Sequence, residues 1–200
     1  MSTKILHIDS SIFGEGGVSS KLGAELLKRL ESQLGELAVS YRDLSADPIP
    51  HFDANTIAAI SSGEAQLSDQ LIAELQAADI LVLGVPMYNF GVPSQLKAWF
   101  DHVARAGVTF KYTESGPVGL VQGKQAYVLA SRGGKYQGTP ADSQTPFVKT
   151  FLGFLGITDV RFIYAEGLNM GEDSRAEGIA SAETAIANWV AKGRVSQEVA

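Results

Sequence analysis

No cysteine occurs in the 200-residue sequence. Its absence excludes disulfides, thiolate zinc sites, iron–sulfur ligation and a cysteine nucleophile, and it suits a reducing compartment, with the cytoplasm as the expected location. Cations are too few for a nucleic-acid surface: 16 Lys and Arg stand against 22 Asp and Glu, a net charge of −6, whereas phosphate-backbone binding needs clustered Lys and Arg. No apolar run is long enough for a membrane span. Residues 1–11 hold one Lys and a short apolar run broken by His7 and Asp9, so no signal peptide is expected either. The three histidines, His7, His51 and His102, lack metal-ligand spacing, and no metal site is expected. His102 falls in the helical run Trp99-Phe100-Asp101-His102 and reads as a helix residue, not a base; Asp9 and Asp79 flank apolar runs, where capping or solvation is the expected role. Also missing are the G-x-S-x-G elbow, the G-x-x-x-x-G-K-S/T phosphate loop and the H-E-x-x-H helix. The reactive atom is therefore better supplied by a cofactor than by a side chain.

What is present is an alternation. Five short runs rich in Val, Ile and Leu, at residues 4–9, 37–42, 80–85, 126–130 and 160–165, are nearly continuously apolar, the look of parallel strands covered on both faces. Between them apolar residues recur at helical spacing, as in Leu22, Leu26, Leu27 and Leu30. Helix ends are marked by Ser19 as an N-cap, Gly35, Pro93-Ser94 and Gly156. A βαβαβαβαβ chain with right-handed crossovers predicts one α/β domain over 1–200: a flavodoxin-like, doubly wound, five-stranded parallel sheet in the order 2-1-3-4-5. Residues 47–67 read as an irregular surface loop leading to a helix near Ser68, and the polar residues after Gly193 are expected to fray.

In such a sheet ligands bind beyond the carboxyl ends of the strands, where strand order reverses. The loops after the first, third and fourth strands are the candidates. The first, Ser10-Ser11-Ile12-Phe13-Gly14-Glu15-Gly16-Gly17-Val18-Ser19, runs into a helix N-terminus, where free amides and the positive dipole end favour phosphate. Ser11, Ser19 and the amides around Gly17 and Val18 are the expected donors; a glycine-rich turn capped by Ser19 is an equally good reading of this loop alone. The pattern also approaches G-x-G-x-x-G, but Ser19 replaces the third glycine and the glycines begin five residues after the strand, so a monophosphate fits better than a pyrophosphate. The second loop, Pro86-Met87-Tyr88-Asn89-Phe90-Gly91-Val92-Pro93, offers apolar walls and a polar Asn89 to a planar ring; Met87 and Phe90 would equally serve to cover the sheet end. In the third, Ser131-Arg132-Gly133-Gly134, paired glycines allow close backbone approach to a ligand.

Pro86-Met87-Tyr88-Asn89-Phe90, the run Ala104-Arg105-Ala106-Gly107-Val108-Thr109-Phe110, Ser131-Arg132-Gly133-Gly134 and Phe151-Leu152-Gly153-Phe154-Leu155-Gly156 together resemble the FMN-dependent NADH azoreductases and NAD(P)H:quinone oxidoreductases of bacteria. The resemblance covers nearly the whole chain. It implies a flavodoxin-like homodimer with one FMN per subunit near the dimer interface, and ping-pong reduction of quinones and azo compounds by NADH or NADPH. It places FMN contacts at Ser11, Gly17, Val18, Ser19, Pro86, Met87, Tyr88, Asn89, Phe90, Ser131, Arg132, Gly133 and Gly134, with Asn89, Tyr112 and Phe154 lining the acceptor pocket. Where members often carry Ser-Gln-Ser, this chain has Gly17-Val18-Ser19, which leaves backbone amides as the donors at the first two positions. A plain electron carrier of flavodoxin type would also bind FMN but would not oxidise NADH under turnover, and a flavin-free dehydrogenase would be colourless.

Overall fold

In the computed structural model, which describes residues 2–192, five parallel strands form the centre. They are β1 (Thr3–Asp9), β2 (Leu37–Asp43), β3 (Ile80–Pro86), β6 (Gln125–Ser131) and β7 (Asp159–Ala165), in the order β2-β1-β3-β6-β7. Helices α1 (Val18–Leu34), α2 (Ala54–Ser62), α3 (Gln66–Ala77), α4 (Ser94–Val103) and α5 (Gln144–Leu155) lie between them, α6 (Glu172–Lys192) follows the last strand, and a hairpin of β4 (Phe110–Thr113) and β5 (Gly116–Gly119) stands apart. With the hairpin strands left out, this is the expected 2-1-3-4-5 order.

The two-residue period of a strand sends alternate side chains to opposite faces, and the core divides accordingly. Leu6, Leu81, Leu83 and Val128 pack against α3, α4 and α5 through Leu75, Trp99 and Leu152. Ile5, Val82, Tyr127 and Leu129 pack against α1 and α6 through Leu26 and Ile186. Each such Leu or Ile contributes about 1.5–3 kcal/mol on burial, and the two layers hold the carboxyl ends of β1, β3 and β6 rigidly side by side.

Three expectations change. Burial on both faces holds for β3 and β6, in which every residue is buried, but β2 is an edge strand whose Val39 and Tyr41 are 44% and 47% exposed. Residues 47–67 contain α2, capped by Asp53, whose carboxylate accepts the Thr56 N–H at 2.8 Å, and closed by Gly63 at φ 78°. None of its residues is buried, so no apolar stripe announced it. Asp9 is neither capping nor solvated: it is buried, and Tyr41 donates its hydroxyl proton to it at 3.1 Å. Burial first, and then the Asp9 charge, push the Tyr41 phenol well above its ordinary value. The residues after Gly193 lie outside the described residues. Among the described residues no helix is long and apolar enough to cross a membrane, and no group of three or more His, Cys, Asp or Glu is placed to hold a metal ion.

His102 is a buried helix residue with both ring nitrogens engaged. The Pro50 carbonyl, 3.0 Å from Nε2, can only accept, so Nε2 carries the proton and Nδ1 accepts from the Ser68 hydroxyl at 2.7 Å. This imidazole ties α3, α4 and the segment before α2 together. Ser68→Ala leaves Nδ1 buried and unpaired and is expected to lower the unfolding free energy by about 1–2 kcal/mol. Urea denaturation checks it; an unchanged midpoint rules out the network's contribution.

Candidate functional site

Strand order reverses beside β1, and the loop leaving it is built to stay open. The Ser10 hydroxyl donates to the Gly84 carbonyl at 2.6 Å, fixing the loop's start to β3. The Ser11 carbonyl accepts the Gly14 N–H at 3.0 Å, and the Ser11 hydroxyl oxygen accepts the Phe13 N–H at 3.2 Å. A short 3-10 turn over Gly14–Gly16 then delivers Gly17 as the N-cap of α1. A Cβ on Gly17 would sit 2.3 Å from the Ser11 Oγ, so only glycine fits. The sequence placed the cap at Ser19; the cap is Gly17, because the 3-10 turn carries the chain in earlier, and Ser19 lies in the first helical turn. Its hydroxyl is wholly buried and has no hydrogen-bond partner. The first amides of a helix have no intrahelical acceptor, so Val18 and Ser19 present N–H groups to an anion.

The loop after β3 is a tight turn closed in both directions, Tyr88 N–H to Gly91 carbonyl at 3.1 Å and Gly91 N–H to Tyr88 carbonyl at 3.0 Å. Its central residues Asn89 and Phe90 have φ of 50° and 66°, the left-handed pair of a type I′ turn. Asn tolerates this region; for Phe it costs about 1–2 kcal/mol, so the surroundings must hold it. They do so through Gln144, whose amide donates to the Pro86 and Gly91 carbonyls at 3.0 and 3.3 Å, and through the Ser143 hydroxyl bonded to the Phe90 carbonyl. The Phe90 ring stays 53% exposed and meets Tyr136 edge-on at 5.4 Å.

In the loop after β6 the Arg132 guanidinium is completely buried. It pairs with Asp142 at 2.9 Å and Glu166 at 3.1 Å and donates to Thr145 at 2.8 Å and Gln144 at 3.3 Å. Arg132 therefore reaches the site through its backbone, its charge being spent on the scaffold. Its neighbours are glycines for steric reasons: a Cβ on Gly133 would lie 2.7 Å from the Asn169 amide, and one on Gly134 would lie 2.7 Å from the Tyr136 ring.

The three loops border two adjoining cavities. A cavity of about 220 Å³ is lined at one end by Ser11, Gly17 and Val18 and at the other by Pro86, Tyr88 and Ser131. It adjoins a second of about 440 Å³ bordered by Asn89, Phe90, Gly134 and Tyr136, Met87, Gly133 and Asn169 lining both. The first end offers amides, the orphaned Ser19 hydroxyl behind them, and a helix N-terminus, the donor set for a phosphate. The second offers a glycine floor and aromatic rim suited to a flat ring. A flavin mononucleotide fits that pairing of ends.

Tyr112 and Phe154 line neither space. Both pack on Phe110, at 5.4 and 4.3 Å between ring centres, Tyr112 on the hairpin and Phe154 on α5, so Asn89 alone of the three expected acceptor residues stands in this cavity. Phe13, Tyr136, Asn169 and Arg175 line it without having been singled out. The last two belong to the loop after β7 and the first turn of α6, and the signal was the same as for the others: a glycine-bearing segment, Gly167-Leu168-Asn169-Met170-Gly171, following a strand at the same edge.

Over residues 3–190 the chain matches a family described as having a flavodoxin-like fold. It is 56% identical over 194 residues to an FMN-dependent NADH:quinone oxidoreductase of Saccharophagus degradans, spanning 93% of this chain and 92% of that one. To an FMN-dependent NADH:quinone oxidoreductase of Alcanivorax borkumensis it is 50% identical over 192 residues, 91% of this chain and 97% of that one. Among solved structures, an azoreductase from Bacillus anthracis superposes with a TM-score of 0.85 at 30% identity, covering 95% and 99% of the two chains.

The Arg132 cluster makes the site's scaffold sensitive to acid. Burial alone would raise the Asp142 carboxyl, but the Arg132 guanidinium and the Thr145 N–H and O–H outweigh it and hold the carboxyl below its ordinary value near 3.8. A carboxyl depressed in the folded state contributes stability that is complete above its unfolded value and lost as pH falls through the folded one. Asp142→Asn is expected to melt lower at neutral pH, yet to lose less further stability between about pH 5 and about pH 2 than the parent protein. Equal acid losses in thermal melts of the two proteins would show that Asp142 does not carry the effect.

Proposed function

Because the chain belongs to the flavodoxin-like family of FMN-dependent NADH:quinone oxidoreductases and azoreductases, we propose that it is a two-electron reductase of small planar acceptors. It holds FMN in the three-loop cavity and alternates between NADH and acceptor in a ping-pong sequence. The observation that carries this reading is that the amide-lined cavity adjoins the glycine-floored, aromatic-rimmed one, with Met87, Gly133 and Asn169 lining both. When bound, FMN supplies the two-electron chemistry between hydride donor and acceptor, which no side chain here could perform.

The chain's own residues bind and orient. Val18 and Ser19 amides and the Ser11 loop would receive the phosphate. Main chain of Pro86, Met87, Tyr88 and Asn89, together with Ser131 and the backbone of Arg132, Gly133 and Gly134, would hold the ring, and the pre-formed turn at Asn89-Phe90 limits the reorganisation needed on binding. Quinones are the natural acceptors on this reading. They are neutral and planar, and azo compounds enter by the same fit.

Tyr112 is 74% exposed on the hairpin, and neither it nor Phe154 lines this cavity. For them to wall the acceptor pocket a second copy must bring them, so the working form is a homodimer.

Protein mixed with FMN is expected to quench flavin fluorescence and to bleach at its visible absorbance maximum on anaerobic addition of NADH. Double-reciprocal plots for NADH and benzoquinone should be parallel, with kcat/KM for benzoquinone above that for an azo dye. No flavin uptake sinks the reading; intersecting lines sink the alternation alone. Tyr112→Ala should raise the acceptor KM several-fold with FMN affinity unchanged, and light scattering should give twice the chain mass. A monomer of full activity would reject the shared pocket.

A further inference from the structure

The phosphate end of the cavity is rich in donors but poor in available charge. Arg132 contributes main chain to it while its guanidinium is held by two carboxylates, Asp142 and Glu166, so that cation is more than neutralised. Arg175 is different. It follows the start of α6 at Glu172 by three residues, and its N–H is bonded to the Gly171 carbonyl at 3.0 Å. Arg175 lines the same cavity as Ser11, Gly17 and Val18. One guanidinium N–H donates to the Leu168 carbonyl at 3.3 Å, which steadies the side chain on the loop carrying Asn169. Among the described residues it makes no ion pair.

We propose that Arg175 is the cation that faces the ligand's phosphate, reaching it from α6 opposite the amides of α1. This rests on the assignment of FMN to the cavity. A phosphate monoester carries about −1.5 to −2 charges at neutral pH, and a helix N-terminus supplies only about half a positive charge. In a chain of net charge −6 a further cation at this end has a clear electrostatic task. A guanidinium also matches phosphate geometry with paired N–H groups, four of its five donors remaining after the bond to Leu168. Arg175 thereby selects phosphorylated over unphosphorylated flavin. The Ser19 hydroxyl, in the first turn of α1, is wholly buried and has no hydrogen-bond partner.

The test compares FMN and riboflavin binding, by quenching of flavin fluorescence, in the parent protein and in Arg175→Gln and Arg175→Lys. Arg175→Gln is expected to weaken FMN about tenfold, close to 1.4 kcal/mol, and to leave riboflavin within about twofold, a level taken as no change on this scale. Arg175→Lys should recover part of the loss, since the charge remains and the fork does not. The affinity of the parent for FMN should fall more steeply with added KCl than that of Arg175→Gln. Equal losses for both flavins, or no loss for FMN, overturn the proposal. So does an unchanged FMN affinity with a raised KM for NADH, which would give Arg175 to the nucleotide's diphosphate instead. If the parent itself takes up no FMN, it is the cofactor reading that fails; if the parent binds FMN and Arg175→Gln binds it equally, only the Arg175 assignment does.

Discussion

The buried Arg132 guanidinium is the constraint on which the site's shape depends. It lies at the end of β6, yet its four partners come from the loop before α5, from α5 itself and from the end of β7. Two of those partners pass the constraint on. Gln144 accepts from Arg132 through its oxygen and donates through its nitrogen to the Pro86 and Gly91 carbonyls, so the turn carrying Asn89 and Phe90 hangs from the arginine by one intervening side chain. Glu166 accepts from Arg132 and from the Tyr136 and Gln137 amides, which sets the chain beyond Gly134. A buried ion pair of this kind adds little net stability over a well-packed apolar replacement. What it contributes here is position: three loops from distant parts of the sequence share one frame.

The same dependence explains what could be read in advance. β3 and β6 were legible because full burial makes a strand continuously apolar, and the carboxyl edge followed from topology alone. The two glycines after Arg132 pointed to close backbone approach, and Gly133 and Gly134 do line the cavity. That the Arg132 guanidinium turns into the scaffold was not legible, because position at a strand end is all that a sequence displays. Its acid partners stand 10 and 34 residues away, and no local pattern pairs them with it. Ser19 was misjudged as a cap for a related reason. A Ser before a helix signals capping, but the tight Ser11–Gly17 approach that moves the start of α1 is a contact between side chain and backbone, invisible until the loop is folded. The exposed elements, α2 and the β4–β5 hairpin, gave no apolar period to find.

Strain and steric exclusion in the loops act in one direction. Phe90 is held in a left-handed conformation that its side chain disfavours, and strained non-glycine residues persist where surrounding structure over-determines them and where function uses the result. Here the result is an aromatic ring kept at the cavity rim instead of folding onto the sheet, where Trp99, Phe100 and Leu96 already fill the space. Gly17, Gly133 and Gly134 complete the arrangement from the other side, since any side chain at these positions collides with Ser11, Asn169 or Tyr136.

Charge then divides the ligands. A protein of net charge −6 repels a phosphate-bearing molecule at long range, but mobile ions screen that repulsion beyond about 8 Å at physiological salt. Attraction at the cavity must therefore be local, from amides and from whatever cation reaches the phosphate, and such short contacts depend on the ligand lying in one orientation. A neutral quinone meets no such barrier and needs no such contact. Under the proposed function its recognition would fall to the aromatic rim, where fit is permissive among planar rings. On that reading the acidic surface leaves acceptors undiscriminated by charge and concentrates selectivity on the cofactor, at the loop whose glycine cap and open amides begin α1.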